Sequence, residues 1–187
     1  ESIKLLSDNH FDLDHELDKG SCPLLALSLY NFVPCCPICN EKLKRTSTIG
    51  SKTDRAELIK LSPTSDEYDF DSNVTFCVVS RTASTLGFLK TPEQYRIVMT
   101  CHDSLFKKSV NLFRLEQRYN YHKIFALRLL DLKERYSKGN IKMLSNLLQE
   151  NGFERYTEQQ ISEDIFGEEY SAVGQRCFNK LKNDILK

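Results

Sequence analysis

Three closely set prolines, Pro23, Pro34 and Pro37, constrain the N-terminal part of this chain more tightly than any other feature. Proline fixes its own φ, has no backbone N–H and keeps the residue before it extended, so it opens helices and does not continue them. Pro23 is placed to start a helix over residues 24–30. Pro34 holds Val33 extended, so Asn31-Phe-Val33 reads as a short strand. Pro37 falls in the first turn of a helix that runs through Asn40 to about Lys44. Upstream, apolar and polar residues alternate over residues 11–15 (Phe-Asp-Leu-Asp-His), the pattern of a half-buried strand. Lys19-Gly20-Ser21 is a turn signal. Residues 11–44 are thus expected to form a strand, a turn, a short helix, a strand and a helix.

Beyond that block the patterns change. Residues 46–53 are polar, contain Gly50 and predict a loop. β-branched and aromatic residues predict strands over 70–80 and 95–101, with a third over 110–115. Ile124, Leu127, Leu130 and Leu132 recur at about 3.6 residues and predict a helix over 119–136, with Gly139 as its stop. A second helix follows over 141–149 and ends at Asn151-Gly152. Thr157-Glu-Gln-Gln has the form of a capping box and opens a helix reaching about Phe166. A last helix covers about 170–187, its end rich in lysine. The chain reads as α+β, with no internal repeat and no low-complexity tract.

Composition narrows the function classes. Lys+Arg and Asp+Glu both count 26 in 187 residues, so the formal net charge is zero. A protein that coats DNA is usually basic; here any phosphate-binding surface must be local or supplied by a partner. The opening residues are acidic (Asp8, Asp12, Asp14, Glu16, Asp18), and the densest basic stretch follows them (Lys42, Lys44, Arg45, Lys52, Arg55, Lys60). No apolar run approaches the roughly 18–20 residues of a membrane span, and no signal peptide is visible. The chain opens on Glu1 rather than Met, so a preceding segment is expected. The seven cysteines are an odd number; Cys22, Cys77, Cys101 and Cys177 are scattered and Cys35, Cys36 and Cys39 are clustered. That excludes a secreted disulfide framework and points to a reducing, cytoplasmic compartment with one candidate metal knuckle.

The chemistry-bearing residues lie within the proline-punctuated block. They are Asp14-His15 at the end of the first strand, Asn31 at the head of the second, and Cys36-Pro-Ile-Cys39-Asn40 on the following helix. Hydrolysis of a phosphodiester needs a base for water, a Lewis acid for the scissile phosphate and a group that aims the base. One histidine, an Asp/Asn pair for a metal and one orienting amide meet that requirement. Each residue also has a plainer reading. His15 is a surface or capped histidine, Asn31 caps a turn, Asn40 is a polar helix residue, and Cys36 and Cys39 are buried thiols. The basic run is then a solvated face, and His10, His102 and His122 are structural or surface residues.

The run from Leu13 to Lys44 (Asp14-His15, then Lys19, Pro23-Leu-Leu-Ala26, Asn31-Phe-Val-Pro34, Cys36-Pro-Ile-Cys39-Asn40 and the closing lysines) resembles the bacterial HNH endonuclease pattern, in its HNN-like form. It covers about a sixth of the chain. The tail from Cys177 (Cys-Phe-Asn-Lys-Leu-Lys) resembles, less specifically, the ending of some longer members. The resemblance implies a ββα-metal (His-Me finger) core within residues 1–60; the patterns beyond it add a small antiparallel sheet and then a C-terminal helical region over 61–187. It implies that Asp14 and Asn40 hold the metal, that His15 is the general base, and that Asn31 holds the loop and the base in place. Lys19, Lys42, Lys44 and Arg45 approach the DNA backbone. Mg²⁺ is the default ion for hard oxygen ligands, with Mn²⁺ or Zn²⁺ as substitutes.

Three departures from the family pattern stand out. No Cys-x-x-Cys precedes Asp14, so Cys36 and Cys39 supply half of a tetrahedral structural Zn²⁺ site; the other half lies in a preceding segment, or the zinc is absent. Cys35 replaces a small residue, leaving the ligand register ambiguous. Asp18 stands where proline is common. The expectation is a metal-dependent DNA endonuclease of bacterial anti-phage defence, with a protein partner such as an ATPase subunit of the same operon. Its alternative is a non-catalytic, HNH-derived zinc-knuckle module that binds DNA or a partner protein.

Overall fold

The computed structural model describes residues 11–20, 22–50, 54–81, 91–153, 155–167 and 178–187. Asp8, His10, Lys52 and Cys177 lie outside these residues. The chain divides into two compact units, one of Glu1–Val74 and Cys101–Leu115, the other of Thr75–Thr100 and Glu116–Lys187. The first therefore takes in residues 61–74 and 101–115 besides the 1–60 module read from the sequence.

The first unit opens with strand β1 (Asp12–His15), paired antiparallel with β2 (Phe32–Cys35). Asp12 faces Cys35, Leu13 faces Pro34, Asp14 faces Val33 and His15 faces Phe32. Between them, the helix expected over 24–30 is replaced by two single 3₁₀ turns, Pro23–Leu25 and Leu29–Asn31, separated at Ser28 by extended backbone. A helix this short needs a buried face to persist, and its leucines are turned to solvent: Leu24, Leu27 and Leu29 are 97%, 89% and 83% exposed. Helix α1 (Ile38–Lys44) follows β2 and is wound as a π-helix, with Arg45 N–H donating to Asn40 O at 2.8 Å. Arg45 ends it with φ 50°.

Irregular backbone then leads to α2 (Arg55–Leu61), capped by Asp54, whose Oδ1 accepts from Ala56 N and Glu57 N. Gly50 packs closely here: a Cβ at this position would lie 3.0 Å from Leu58 Cδ2 and would push that side chain aside. A four-residue helix, α3 (Phe70–Asn73), capped by Asp69, delays the strand expected from residue 70. The strand expected over 110–115 is instead part of helix α4 (Leu105–Leu112), which buries Phe106 and Val110 one turn apart. That i, i+4 pair outweighs the local β propensity. Phe106 sits 5.9 Å from the Tyr68 ring and 5.8 Å from Phe70, closing a core with Ile49 and Leu61.

The second unit is built on strands β3 (Val74–Ser80) and β4 (Tyr95–Cys101), which form a two-stranded sheet. Two strands alone are marginal in water. Here, helix side chains take up donors along both strands. From α5 (Leu115–Asn120), Asn120 Oδ1 accepts from Ile97 N at 2.9 Å, its Nδ2 donates to Ile97 O at 2.7 Å, and Glu116 Oε1 accepts from Met99 N at 2.8 Å. From α9 (Asn179–Leu186), Asp184 Oδ2 accepts from Phe76 N at 2.9 Å. The helix expected over 119–136 breaks after Asn120, whose amide is drawn to the strand, and resumes as α6 (Lys123–Arg135). Gly139 is not a stop: Ser137 caps α7 (Lys138–Glu150), and Gly139 lies in its first turn. Gly152, at φ +86°, follows α7, and Thr157 caps α8 (Glu158–Phe166) through Gln160 N as the sequence implied. α6 packs on α9, and α7 on α8, around Ala126, Leu127, Leu181 and Ile185. Among the described residues no helix is long and apolar enough to cross a membrane.

Candidate active site

Alternation along β1 separates its side chains. Asp12 and Asp14 meet α1, whereas His15 meets the loop between the strands. The His15 ring lies against Phe32, with centroids 4.8 Å apart, and its Nε2 is 3.1 Å from Ala26 O. A carbonyl oxygen only accepts, so this contact assigns the proton to Nε2 and leaves the lone pair of a neutral imidazole on Nδ1.

Asn31 holds the loop that carries Ala26. It is 4% exposed. Its Oδ1 accepts from Leu17 N at 2.7 Å, and its Nδ2 donates to Leu17 O and Leu25 O, both at 3.1 Å. Its own carbonyl accepts from Glu16 N at 3.0 Å. Asn31 thus ties both ends of the loop to the head of β2, and acts on His15 through Ala26 rather than by touching it.

Asn40 and Lys44 are matched to Asp12 and Asp14. Asn40 Nδ2 donates to Asp12 Oδ2 at 3.3 Å, and Lys44 Nζ lies 2.5 Å from Asp14 Oδ2. Two positions on the strand are thus met by two positions four apart on the helix. Lys44 also donates to His15 O at 2.7 Å and is 4% exposed. It is turned inward, unlike Lys19, Lys42 and Arg45, which are exposed. The structure therefore brings Asn40 to Asp12, while Asp14 holds an ammonium. Asp12 and the inward Lys44 were missed in the sequence because Asp14-His15 drew the assignment. Their signal is the shared spacing, Asp12/Asp14 on the strand against Asn40/Lys44 on the helix.

Asp12, Asn40 and Glu41 line, with Phe11 and Leu13, an open cleft of about 680 Å³. Three hard oxygen donors at an open cleft fit the chemistry of Mg²⁺ or Mn²⁺. Behind them Glu16 is 7% exposed, and its Oε1 has no hydrogen-bond partner. Burial pushes its carboxyl up to about 6, with Asp14 adding to the rise and Lys44 opposing it. Burial, then Asp14 and Asp12, push the Cys35 thiol up to about 11, so Cys35 stays protonated at neutral pH. The soft pair is Cys36 and Cys39, whose Sγ atoms are 3.2 Å apart, with Cys39 N donating to Cys36 Sγ at 3.4 Å. Two thiols are half of a tetrahedral zinc set. Among the described residues no group of three or more His, Cys, Asp or Glu side chains is arranged to hold a metal ion.

Set against known protein families, curated proteins and solved structures, the chain matches none.

Proposed function

We propose that residues 12–44 form an HNH-type, ββα-metal site that hydrolyses DNA phosphodiester bonds. The observation that carries this reading is the contact of His15 Nε2 with Ala26 O, on a loop locked by Asn31. It leaves Nδ1 to take a proton from an attacking water, with the ring held by Phe32 on one side and by the carbonyl at its far nitrogen. Asp12 and Asn40, with Glu41 beside them, are the oxygen donors for a divalent ion; Asp14, which the family resemblance implies as a ligand, is neutralised by Lys44. When bound, Mg²⁺ or Mn²⁺ supplies charge neutralisation at the scissile phosphate and leaving oxygen. Lys19, Lys42 and Arg45 are exposed and available to backbone phosphates.

The test couples cleavage to metal binding. Supercoiled plasmid is converted to nicked or linear forms with Mg²⁺ or Mn²⁺ and not with EDTA. Mn²⁺ binding, read by electron paramagnetic resonance, is weakened more by Asp12→Asn or Asn40→Ala than by Asp14→Asn. Metal-independent cleavage sinks the reading. The Asp14–Lys44 pair favours a second reading, a non-cleaving module braced by zinc at Cys36 and Cys39. Protein that carries zinc, binds no Mn²⁺ and leaves plasmid intact decides for it.

A further inference from the structure

We propose that the second unit carries its own groove for a single-stranded nucleic acid, with Arg81, Arg96 and Lys123 on the phosphates and Tyr121 stacked on a base. The inference goes beyond the nuclease reading and stands on residues outside the His15 site. The groove is a cleft of about 570 Å³ lined by β4, the start of α6 and the α5 face that clamps the strand. Its inner wall is already satisfied. Both ends of the Asn120 amide bond Ile97, and Glu116 holds the Met99 N–H. What remains directed at solvent is mainly cationic. Arg81 and Arg96 are exposed and Lys123 is half-buried. Among the described residues none of the three is ion-paired. The remaining carboxylate of the lining is Glu93.

Tyr121 decides the kind of occupant. It stands at the break between α5 and α6, lines the cleft and is 88% exposed. An aromatic face in water in the same cleft as three cations suits a strand whose bases are unpaired and whose phosphates lie alongside. A duplex keeps its base faces stacked on one another and cannot offer one to the ring, whereas an unpaired base can.

The test uses full-length protein carrying His15→Ala, so that the probe stays intact, and fluorescence anisotropy with labelled dT12 and a duplex of equal length. The expected result is tighter binding of dT12 than of duplex. The triple variant Arg81→Ala/Arg96→Ala/Lys123→Ala lowers affinity at least tenfold near 0.1 M salt. It also flattens the plot of log K against log salt by about 2, since each lost single-strand phosphate contact removes about 0.7. Tyr121→Ala lowers dT12 affinity by roughly tenfold without changing that slope, and Tyr121→Phe restores it. Unchanged dT12 binding in both the triple variant and Tyr121→Ala overturns the proposal, as does equal competition by poly-glutamate. Groove-dependent binding of dT12 by a wild-type protein that never cuts DNA leaves this groove standing and removes the nuclease reading.

Discussion

At position 31 one buried amide makes three hydrogen bonds to loop backbone. Replacing it with a methyl group leaves the Leu17 N–H without an acceptor and two carbonyls without a donor, in a site from which water is largely excluded. Asn31→Ala is expected to destabilise the protein by about 2–4 kcal/mol in urea unfolding, with Asn31→Asp intermediate because it keeps the acceptor. Glu16 makes a prediction of opposite sign. Its carboxyl is raised from 4.5 to about 6, so the fold prefers the neutral acid. The associated stability is complete below pH of about 4.5 and is lost as pH rises through about 6, by roughly 2 kcal/mol. In EDTA-containing buffer, Glu16→Gln should abolish that slope and raise stability at pH 7; a slope that survives the substitution assigns it to another group. The strand pair that carries His15 and follows Asn31 was legible from the alternation over residues 11–15 and from Pro34. Lys44 was not, because a lysine on a short polar helix reads as solvated until its carboxylate partner on another element is known.

The ladder between β1 and α1 turns two sequence spacings into one contact surface. Lys44→Met would leave Asp14 partly buried without its cation, at a cost of about 3–5 kcal/mol, and Asp14→Asn in the same protein should recover most of the loss, read as a double-mutant cycle. The sheet of the second unit depends on the same kind of cross-element bond. Asp184, 1% exposed at its side chain and 2.8 Å from Lys180, accepts the Phe76 N–H. Asp184→Ala should speed hydrogen exchange at Phe76 and lower stability by about 2–4 kcal/mol; unchanged exchange would mean that the strand does not need the clamp. Helices with a side-chain cap and a long stripe, such as α8 behind Thr157, were readable in advance. The helix expected over 24–30 and the strand over 110–115 were not. In the first, local propensity found no face to bury; in the second, a buried Phe106/Val110 pair chose the helix. Neither outcome is visible without the neighbouring elements.

Over the whole molecule, a net charge of zero conceals two opposite local fields. The first unit sets Asp14 and Glu16 around one buried lysine, with Asp12 and Glu41 on the cleft beside Asn40. The second presents Arg81, Arg96 and Lys123 beside an exposed tyrosine. The composition alone implied that phosphate-binding charge must be local, yet the densest basic run in the sequence includes Lys44, which the fold turns inward. The cations of the groove are spread over more than forty residues and are brought together by the end of β3, by β4 and by the start of α6. The division of the chain into units was hidden for a similar reason, since residues 101–115 return to the first unit after β4.

The central claim is that His15, aimed through Ala26 and Asn31, removes the proton from the attacking water. It is tested most directly by the single-turnover rate of plasmid cleavage with saturating Mg²⁺, comparing wild type with His15→Ala at equal DNA occupancy. The account predicts a fall of about 10²–10⁴-fold, the usual contribution of a positioned general base. Cleavage by His15→Ala at the wild-type rate would contradict it.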